Sequence, residues 1–306
     1  AWTIENMNKN VIKAEYAVRG EVFIEADALT QRMEAGDKSL PFDEVIYCNI
    51  GNPQQVKQKH ISFNRHVLSL VLSPELAYSK EVEATGLFME DEIARAQTLI
   101  EVVDPNSGAY THSQGLLQVR RNVAEFIEER DDRVYRTPID PNRIFLSDGA
   151  SPSVQTILKT LISGPQDGIL VPIPQYPLYS ASIAMCNGSF LEYYLDEERG
   201  WALTVEELES SYQRAKKKGI EPRALVIINP GNPTGQCMEK ENMKEIIEWA
   251  HKREVVLLAD EVYQENIYTE KPWYSFRRVA AEMGEYYEEN LELVSFHSVS
   301  KGFLGE

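Results

Sequence analysis

The sequence predicts an α/β fold with a mainly parallel central sheet and helices on both faces. From residue 143 onward, short and nearly continuous apolar runs alternate with helical stretches, which is typical of parallel strands buried on both sides. Polar, glycine-rich or aromatic residues follow most of these runs, and ligands of such sheets lie at the carboxyl ends of the strands. Because 43% of the 306 residues are hydrophobic, the chain can bury a full core.

Composition excludes several classes of partner. The net charge of -17 argues against nucleic acid or an anionic membrane, and no apolar run is long enough to span a bilayer. The three cysteines and five histidines show no metal-binding spacing, so we expect no metal site and reduced thiols. The first residues lack the pattern of a signal peptide. We expect a cytoplasmic protein, with the mitochondrion as the alternative if a transit peptide has been removed.

Residues 1–85 are predicted to form an N-terminal arm and part of a small domain. The arm is expected to be extended up to a helix at residues 21–33, which Gly36 would end. A strand is expected at residues 45–50, followed by a sharp turn at Gly51. Glycine in such a turn is usually structural, and its functional alternative is a close approach of the backbone to a ligand.

Residues 86–306 are predicted to form one large domain. Periodicity predicts helices here and just before it, and apolar runs predict the strands of the sheet. The expected helices are residues 65–72, 90–102, 116–130, 151–162, 204–218 and 239–251, and the expected strands are residues 143–147, 168–173, 190–195, 224–228, 255–259 and 291–294.

Residues that could bind a ligand or take part in catalysis follow five of the expected strands. Each alone has a routine interpretation as a turn, a helix cap or a surface side chain, but together they favour a binding site at one edge of the sheet. They are Ala150 and Ser151 at a helix start, Tyr176 between prolines, Asn232 in a turn, Asp260 with Tyr263, and Ser298 with Lys301.

Lys301 is a candidate for imine chemistry. A lysine held at the end of a strand can be desolvated, and a desolvated amine loses its proton more easily and becomes a nucleophile. Taken alone, a surface-loop lysine is the more common interpretation. The residues upstream shift the balance towards chemistry.

Three motifs resemble the fold-type I pyridoxal-phosphate aminotransferases: NPGNPTG at residues 229–235, ADEVY at 259–263 and SVSK at 298–301. Within that family, the stretches at residues 48–54, 172–179, 193–196 and 258–264 look like those of alanine aminotransferases. The resemblance runs from about Tyr16 to Glu306, which is nearly the whole chain. It implies the large domain of that fold and pyridoxal 5'-phosphate as the cofactor.

The resemblance also implies roles for single residues. Lys301 would form a Schiff base with the cofactor and then move a proton at the substrate. Asp260 would face the ring nitrogen and keep it protonated, so that the ring accepts electrons. Tyr263 and Asn232 would hydrogen-bond the ring oxygen, and Tyr176 would stack on the ring face.

The remaining implied roles concern the phosphate, the subunits and the substrate. Ala150 and Ser151, through their N–H groups, and the Ser298 hydroxyl would hold the phosphate. Tyr110 would reach the phosphate of a neighbouring subunit's cofactor, which implies a homodimer. Gly51 would lie beside the substrate, where a side chain would crowd it.

The sequence departs from the family pattern in one respect. The family continues past the lysine with a phosphate-binding arginine and a C-terminal small domain, whose arginine pairs with the substrate carboxylate. This sequence reaches Glu306 before either. We therefore expect a fragment or a truncated product that lacks the C-terminal small domain and, as it stands, holds the cofactor weakly.

The implied function is transamination of L-alanine and 2-oxoglutarate to pyruvate and L-glutamate, with small-molecule amino acid and 2-oxo acid substrates. Two alternatives stay open at this point. One is a glutamate:glyoxylate aminotransferase, which shares the motifs. The other is a truncated, non-catalytic aminotransferase-like subunit, against which the intact Asp260, Tyr263 and Lys301 argue.

Overall fold

The computed structural model describes residues 3–16, 20–51, 53–103, 107–302 and 304–305. The chain forms two compact units, one of residues 1–53 with 148–303 and the other of residues 54–147 with 304–306. The domain boundary expected near residue 85 concerns the family's domains and stays a prediction.

Helices account for most of the regular structure before the sheet. In the first unit, α1 spans Lys9–Lys13 and α2 spans Glu21–Glu34. In the second unit the helices are α3 (Ser62–Leu72), α4 (Pro74–Ala77), α5 (Lys80–Ala84), α6 (Glu90–Val102) and α7 (Leu117–Arg130). The expected stop of α2 is confirmed, since Gly36 follows its last turn with φ +90°, a conformation that favours glycine.

The sheet lies in the first unit and has five strands in the order β2-β1-β3-β4-β5. Every neighbouring pair is parallel, so the predicted α/β fold with a parallel sheet is confirmed. The strands are β1 (Asp167–Ile173), β2 (Ser189–Tyr194), β3 (Glu221–Ile228), β4 (Val256–Asp260) and β5 (Leu293–Phe296).

Six helices of the same unit accompany the sheet. They are α8 (Ala150–Leu161), α9 (Leu178–Met185), α10 (Val205–Lys217), α11 (Lys240–Lys252), α12 (Phe276–Glu282) and α13 (Glu285–Asn290). After β2 the chain returns to the other side of β1, where it forms β3. The order therefore reverses between β1 and β3, which is where open parallel sheets form a crevice at their carboxyl ends.

Alternate residues of each strand serve two separate cores, because successive side chains of a strand point to opposite faces. On one face, Leu170 of β1 packs in the same cluster as residues of α10, α11 and α12. On the other, Val171 belongs to a cluster with Val154 of α8 and Tyr179 of α9. The near-continuous apolar runs are explained by this arrangement, since both faces of the sheet are covered.

Two predicted strands are wrong. Residues 45–48 form no ladder, and Ile46 is 75% exposed. Residues 144–147 are also outside any ladder; they come after a 3-10 turn at Pro141–Arg143, and the Leu146 N–H donates to the carbonyl of Gln114, which lies in a turn and not in a strand. A strand needs a neighbour with which to pair, and no other strand of the described chain takes that place. The arm, predicted to be extended, contains the short α1, which the Asn8 side chain caps.

Candidate active site

Asp260 is the last residue of β4 and its side chain is buried, with 5% of the residue exposed. The backbone around it is fixed on both sides: the Asn229 N–H donates to the Asp260 carbonyl, and the Glu261 N–H donates to the Phe296 carbonyl of β5. Its carboxyl group accepts a hydrogen bond of 2.6 Å from the Tyr179 hydroxyl. The chain thus presents a firmly held carboxyl group at the carboxyl edge of the sheet.

The carboxyl group of Asp260 lies in a buried environment that disfavours its ionised form. Burial raises its pKa, while the Tyr179 hydrogen bond, the Val262 N–H and the charge of Lys301 act to lower the pKa, and the balance remains a raised value. A buried carboxylate without a full counter-charge favours any cation or N–H donor that reaches it. Such perturbed groups in clefts are typical of functional sites.

Lys301, Tyr263 and Asn232 converge beside this carboxyl group. The Lys301 amine lies 5.7 Å from the centre of the Tyr263 ring, and the Asn232 side-chain amide donates to the Tyr263 hydroxyl over 3.4 Å. Burial and then the charge of Asp260 raise the pKa of Tyr263, so its hydroxyl keeps its proton. Residues after β3, β4 and β5 therefore meet at one edge, as the sequence predicts.

Tyr176 faces the same edge from the turn before α9. Burial raises its pKa, with smaller contributions from Tyr16, Tyr263 and Asp260. The Tyr16 and Tyr176 hydroxyls share a hydrogen bond of 2.6 Å, and their rings meet edge to face with centroids 6.2 Å apart. The N-terminal arm therefore contacts Tyr176 both through its hydroxyl and through its ring.

The start of α8 is a helix N-terminus of the kind that can receive an anion. Gly149 precedes it with φ +93°, a conformation that side chains rarely adopt, and as the N-cap residue it brings no side chain to the helix start. Ala150 and Ser151 supply the first N–H groups of the helix, where the helix dipole attracts negative charge. Ser298 comes after β5, whose residue Phe296 packs in the same cluster as α8. The Ser298 hydroxyl pairs with that of Ser300 at 2.7 Å.

A family model, aminotransferase class I and II, matches residues 90–305. The chain belongs to this family. The chain is 54% identical over 310 residues to "Probable alanine aminotransferase, mitochondrial" of Dictyostelium discoideum, and the match covers 99% of the chain and 57% of that relative. It is 46% identical over 303 residues to "Glutamate--glyoxylate aminotransferase 1" of Arabidopsis thaliana, covering 99% of the chain and 60% of the relative. The chain therefore spans a little over half the length of these relatives.

The fold of this aminotransferase chain is also found among solved structures. A crystal structure of an aminotransferase from Escherichia coli superposes with a TM-score of 0.71 at 23% identity, covering 97% of this chain and 59% of that one. At this level of identity the likeness concerns the fold alone. It agrees with the α/β fold described above.

The roles expected of the site residues of the aminotransferase chain, including those of Tyr110 and Gly51, remain predictions. Tyr110 lies in the second unit with its side chain fully exposed, and its expected role depends on a neighbouring subunit. Gly51 lies in the first unit, and a Cβ added there would meet no described atom within 4 Å. Crowding at Gly51 would therefore come from a group outside the described residues, such as a ligand.

Sequence reasoning missed three residues that shape the site. Tyr179 binds Asp260, and its spacing of three from Tyr176 at a helix start was the signal that could have found it. Tyr16 left no local signal, because its contact with Tyr176 spans the chain. Asn229 is 1% exposed and supports the turn after β3, since its side-chain oxygen accepts from the Met238 N–H.

Two further observations bound the chemistry of the aminotransferase chain. Among the residues that the structure describes, no three His, Cys, Asp or Glu side chains are grouped so that they could hold a metal ion. Within that same part of the chain, every helix is too short or too polar to cross a bilayer.

Proposed function

We propose that this chain is the cofactor-binding part of a pyridoxal-phosphate-dependent aminotransferase that converts L-alanine and 2-oxoglutarate into pyruvate and L-glutamate. The observation that carries the proposal is the buried carboxyl group of Asp260 at the end of β4, with the Lys301 amine acting on it. Pyridoxal-phosphate enzymes use a lysine amine for the Schiff base and a partner for the ring nitrogen, and a carboxylate is one such partner.

The residues present fit this cofactor. A pyridinium nitrogen would satisfy the costly charge of Asp260, and the uncapped start of α8 after Gly149 suits a phosphate group. The hydroxyl of Tyr263 and the amide of Asn232, already in contact with each other, would hold the ring oxygen. Tyr176 offers an aromatic face for stacking.

The chain's own residues would divide the work among holding, orienting and proton transfer. The cofactor, when bound, draws electrons away from the substrate's α-carbon. Lys301 would hold the cofactor through its amine, and that amine would carry the proton at the substrate's α-carbon. Asp260 would keep the ring nitrogen protonated by holding a negative charge beside it. Ala150, Ser151 and Ser298 would hold the phosphate and so fix the ring for this proton transfer.

Alanine as the amino donor is supported by the Dictyostelium relative, which is named an alanine aminotransferase. The second candidate is a glutamate:glyoxylate aminotransferase, which the name of the Arabidopsis relative favours. Glyoxylate and pyruvate differ by one methyl group, and such a difference is worth about 1–3 kcal/mol in a pocket. The rates of transamination from L-glutamate to pyruvate and to glyoxylate, at equal oxo acid concentration, would separate the candidates. A preference for glyoxylate would overturn the assignment as an alanine aminotransferase.

A homodimer is proposed as the active form, because the role expected of Tyr110 needs a second subunit. Sedimentation of the chain would test it, and a monomer at all concentrations would contradict it. For the compartment, the Dictyostelium relative is named mitochondrial, which supports the mitochondrial alternative over the cytoplasm. Imaging of the tagged protein in its own cells would decide between the two.

The proposed function is tested by the visible absorption of the purified chain with pyridoxal phosphate, before and after L-alanine is added. A protein-bound band that bleaches with L-alanine is the expected result. Lys301→Arg is the matched control, since it keeps the positive charge but not the primary amine, and it should show no such band. A wild-type chain without a band would favour the truncated, non-catalytic subunit.

A further inference from the structure

Tyr179 is the closest partner of the Asp260 carboxyl group. Its side chain is completely buried, and its hydroxyl donates to Asp260 Oδ2 at 2.6 Å. Hydrogen bonds from a neutral hydroxyl to a carboxylate are short and about twice as strong as those between neutral groups. This contact lies on the face of the sheet that α8 and α9 cover.

The other groups that act on Asp260 are weaker or movable. The Val262 N–H approaches Oδ1 only to 3.4 Å. Lys301 contributes a favourable charge, but its side chain is exposed, and the proposed function engages its amine in a covalent bond. Tyr179 is therefore the donor that stays in place while the chemistry proceeds.

The Tyr179 hydroxyl is also a permanent donor. Burial and the neighbouring charge of Asp260 raise its pKa well above the ordinary value, so it keeps its proton. Because it occupies Oδ2, the other oxygen, Oδ1, retains capacity to accept from a ligand. Of the remaining titratable groups that act on the carboxyl or lie beside it, Tyr176 and Tyr263 stay neutral for the same reason of burial.

We propose that Tyr179 is a positioning residue that keeps Asp260 ionised and orients its carboxylate, so that Oδ1 can also accept from the ring nitrogen of the cofactor. The inference rests on the proposed function and adds a residue to which that function assigns no role. Tyr176 and Tyr179 flank the start of α9, so one turn of the chain sets both the stacking ring and the orientation of the carboxylate.

The test compares Tyr179→Phe with Tyr193→Phe. Tyr193 is an equally suitable site for the deletion, because it is 1% exposed and its hydroxyl donates to the Val226 carbonyl at 2.7 Å, on a neutral partner. Both variants lose one buried hydroxyl and one hydrogen bond. A purely structural role for Tyr179 would therefore give the two variants the same phenotype.

Two quantities are measured in each variant. The first is the titration of the Asp260 carboxyl carbon by NMR in the chain labelled at aspartate, with the resonance assigned by its loss in Asp260→Ala. The second is the dissociation constant of pyridoxal phosphate. In Tyr179→Phe we expect the titration midpoint to rise by about one pH unit or more, and the cofactor to bind about tenfold to a hundredfold more weakly. Tyr193→Phe should change neither.

A double-mutant cycle shows whether Tyr179 acts through Asp260. In an Asp260→Ala background, Tyr179→Phe should weaken cofactor binding no further. Should Tyr179→Phe fail to fold, para-aminophenylalanine at position 179 keeps an N–H donor and should return the midpoint towards that of the wild type.

The outcomes separate this inference from the proposed function. A wild-type chain that binds no cofactor overturns the proposed function and the role of Tyr179 with it. A wild-type chain that binds, together with a Tyr179→Phe variant indistinguishable from Tyr193→Phe, overturns the inference alone. Additive effects in the cycle would also overturn it.

Discussion

Two buried aspartates lie at opposite edges of the same sheet, and they are satisfied differently. Asp167 begins β1 and is 1% exposed. The Arg223 guanidinium donates to one of its oxygens at 2.7 Å, and the Ser163 N–H donates to the other at 2.8 Å. The hydrogen bond from Arg223, followed by that from Ser163, lowers the pKa of Asp167. Asp260, at the end of β4, has a raised pKa and a neutral tyrosine as its nearest partner.

The different partners of the two aspartates indicate a structural role for Asp167 and a chemical role for Asp260. A carboxylate with an arginine and a backbone donor has its charge satisfied within the fold, so it stabilises the connections at its edge of the sheet. A carboxylate held by a neutral hydroxyl keeps part of its demand for a counter-charge, which a ligand can meet. Burial alone does not distinguish the two, whereas the charge of the partner does.

Replacing Lys301 is expected to have the largest effect on cofactor binding. It tests whether the site around Asp260 serves chemistry, unlike the site around Asp167. Lys301→Ala should abolish covalent attachment of the cofactor, because it removes the amine that forms the bond. Reduction with borohydride followed by intact mass measurement should show the cofactor's added mass in the wild type and none in the variant. Because the side chain is exposed, the far-UV spectrum should stay unchanged. A variant that still gains this mass at a different lysine would contradict the assignment.

Asp260→Ala should be next in size. The carboxylate proposed to keep the ring nitrogen protonated would be lost, and we expect the barrier to rise by about 3–5 kcal/mol, which corresponds to about two to four orders of magnitude in rate. The rate at which L-alanine changes the cofactor's absorption, measured by stopped flow with saturating cofactor, reports this loss. An effect of about tenfold or less would mean that the two aspartates do not differ as we argue.

Asp167→Asn should affect stability and leave the cofactor alone. The change weakens the contact with Arg223, and loss of a hydrogen bond to a charged group costs about 1–3 kcal/mol. Urea unfolding measures it. Asp260→Asn is the matched control, because the same chemical change there removes a charge whose burial is unfavourable to the fold; its urea midpoint should equal or exceed that of the wild type. Equal destabilisation by both variants would contradict the conclusion that Asp167 stabilises the fold and that the charge of Asp260 does not.

The smallest effect is expected in the pH dependence of stability. The folded chain lowers the pKa of Asp167 below its ordinary 3.8, so its stabilisation is fully present above that value and is lost as the pH falls through the folded pKa. The raised pKa of Asp260 acts in the opposite sense, since its ionisation costs stability as the pH rises past 3.8. Urea midpoints between about pH 2 and pH 5 should fall less steeply in Asp167→Asn than in the wild type. An unchanged slope would count against the Arg223 contact.

The sequence predicted the sheet well because its signals are local. The helix expected at residues 90–102 has those bounds, and all five strands after residue 160 lie within three residues of the expected positions. Strands expected at 45–50 and 143–147 did not form. An apolar run with β-forming residues shows that a segment can pair, but pairing also needs a neighbour, and a neighbour is a property of the whole fold.

The site was predictable to the extent that its residues come directly after strands. The structure brings Asp260, Tyr263, Asn232 and Lys301 together, because parallel strands end at one edge. Tyr179 was overlooked despite its spacing of three from Tyr176, since a tyrosine in an apolar helical run is most simply interpreted as part of the core. Only the structure shows that its hydroxyl meets a carboxylate.

The start of α9 limits how the site can be redesigned. Residues 176 to 179 form one turn, which the hydrogen bond from the Tyr179 N–H to the Tyr176 carbonyl closes. The position of the stacking tyrosine is therefore tied to that of the tyrosine that holds Asp260. Each inserted residue would rotate the rest of the helix by about 100° and carry the Tyr179 hydroxyl away from the carboxyl group. Loop grafts or insertions for altered specificity should therefore leave this segment whole and vary the chain on either side of it.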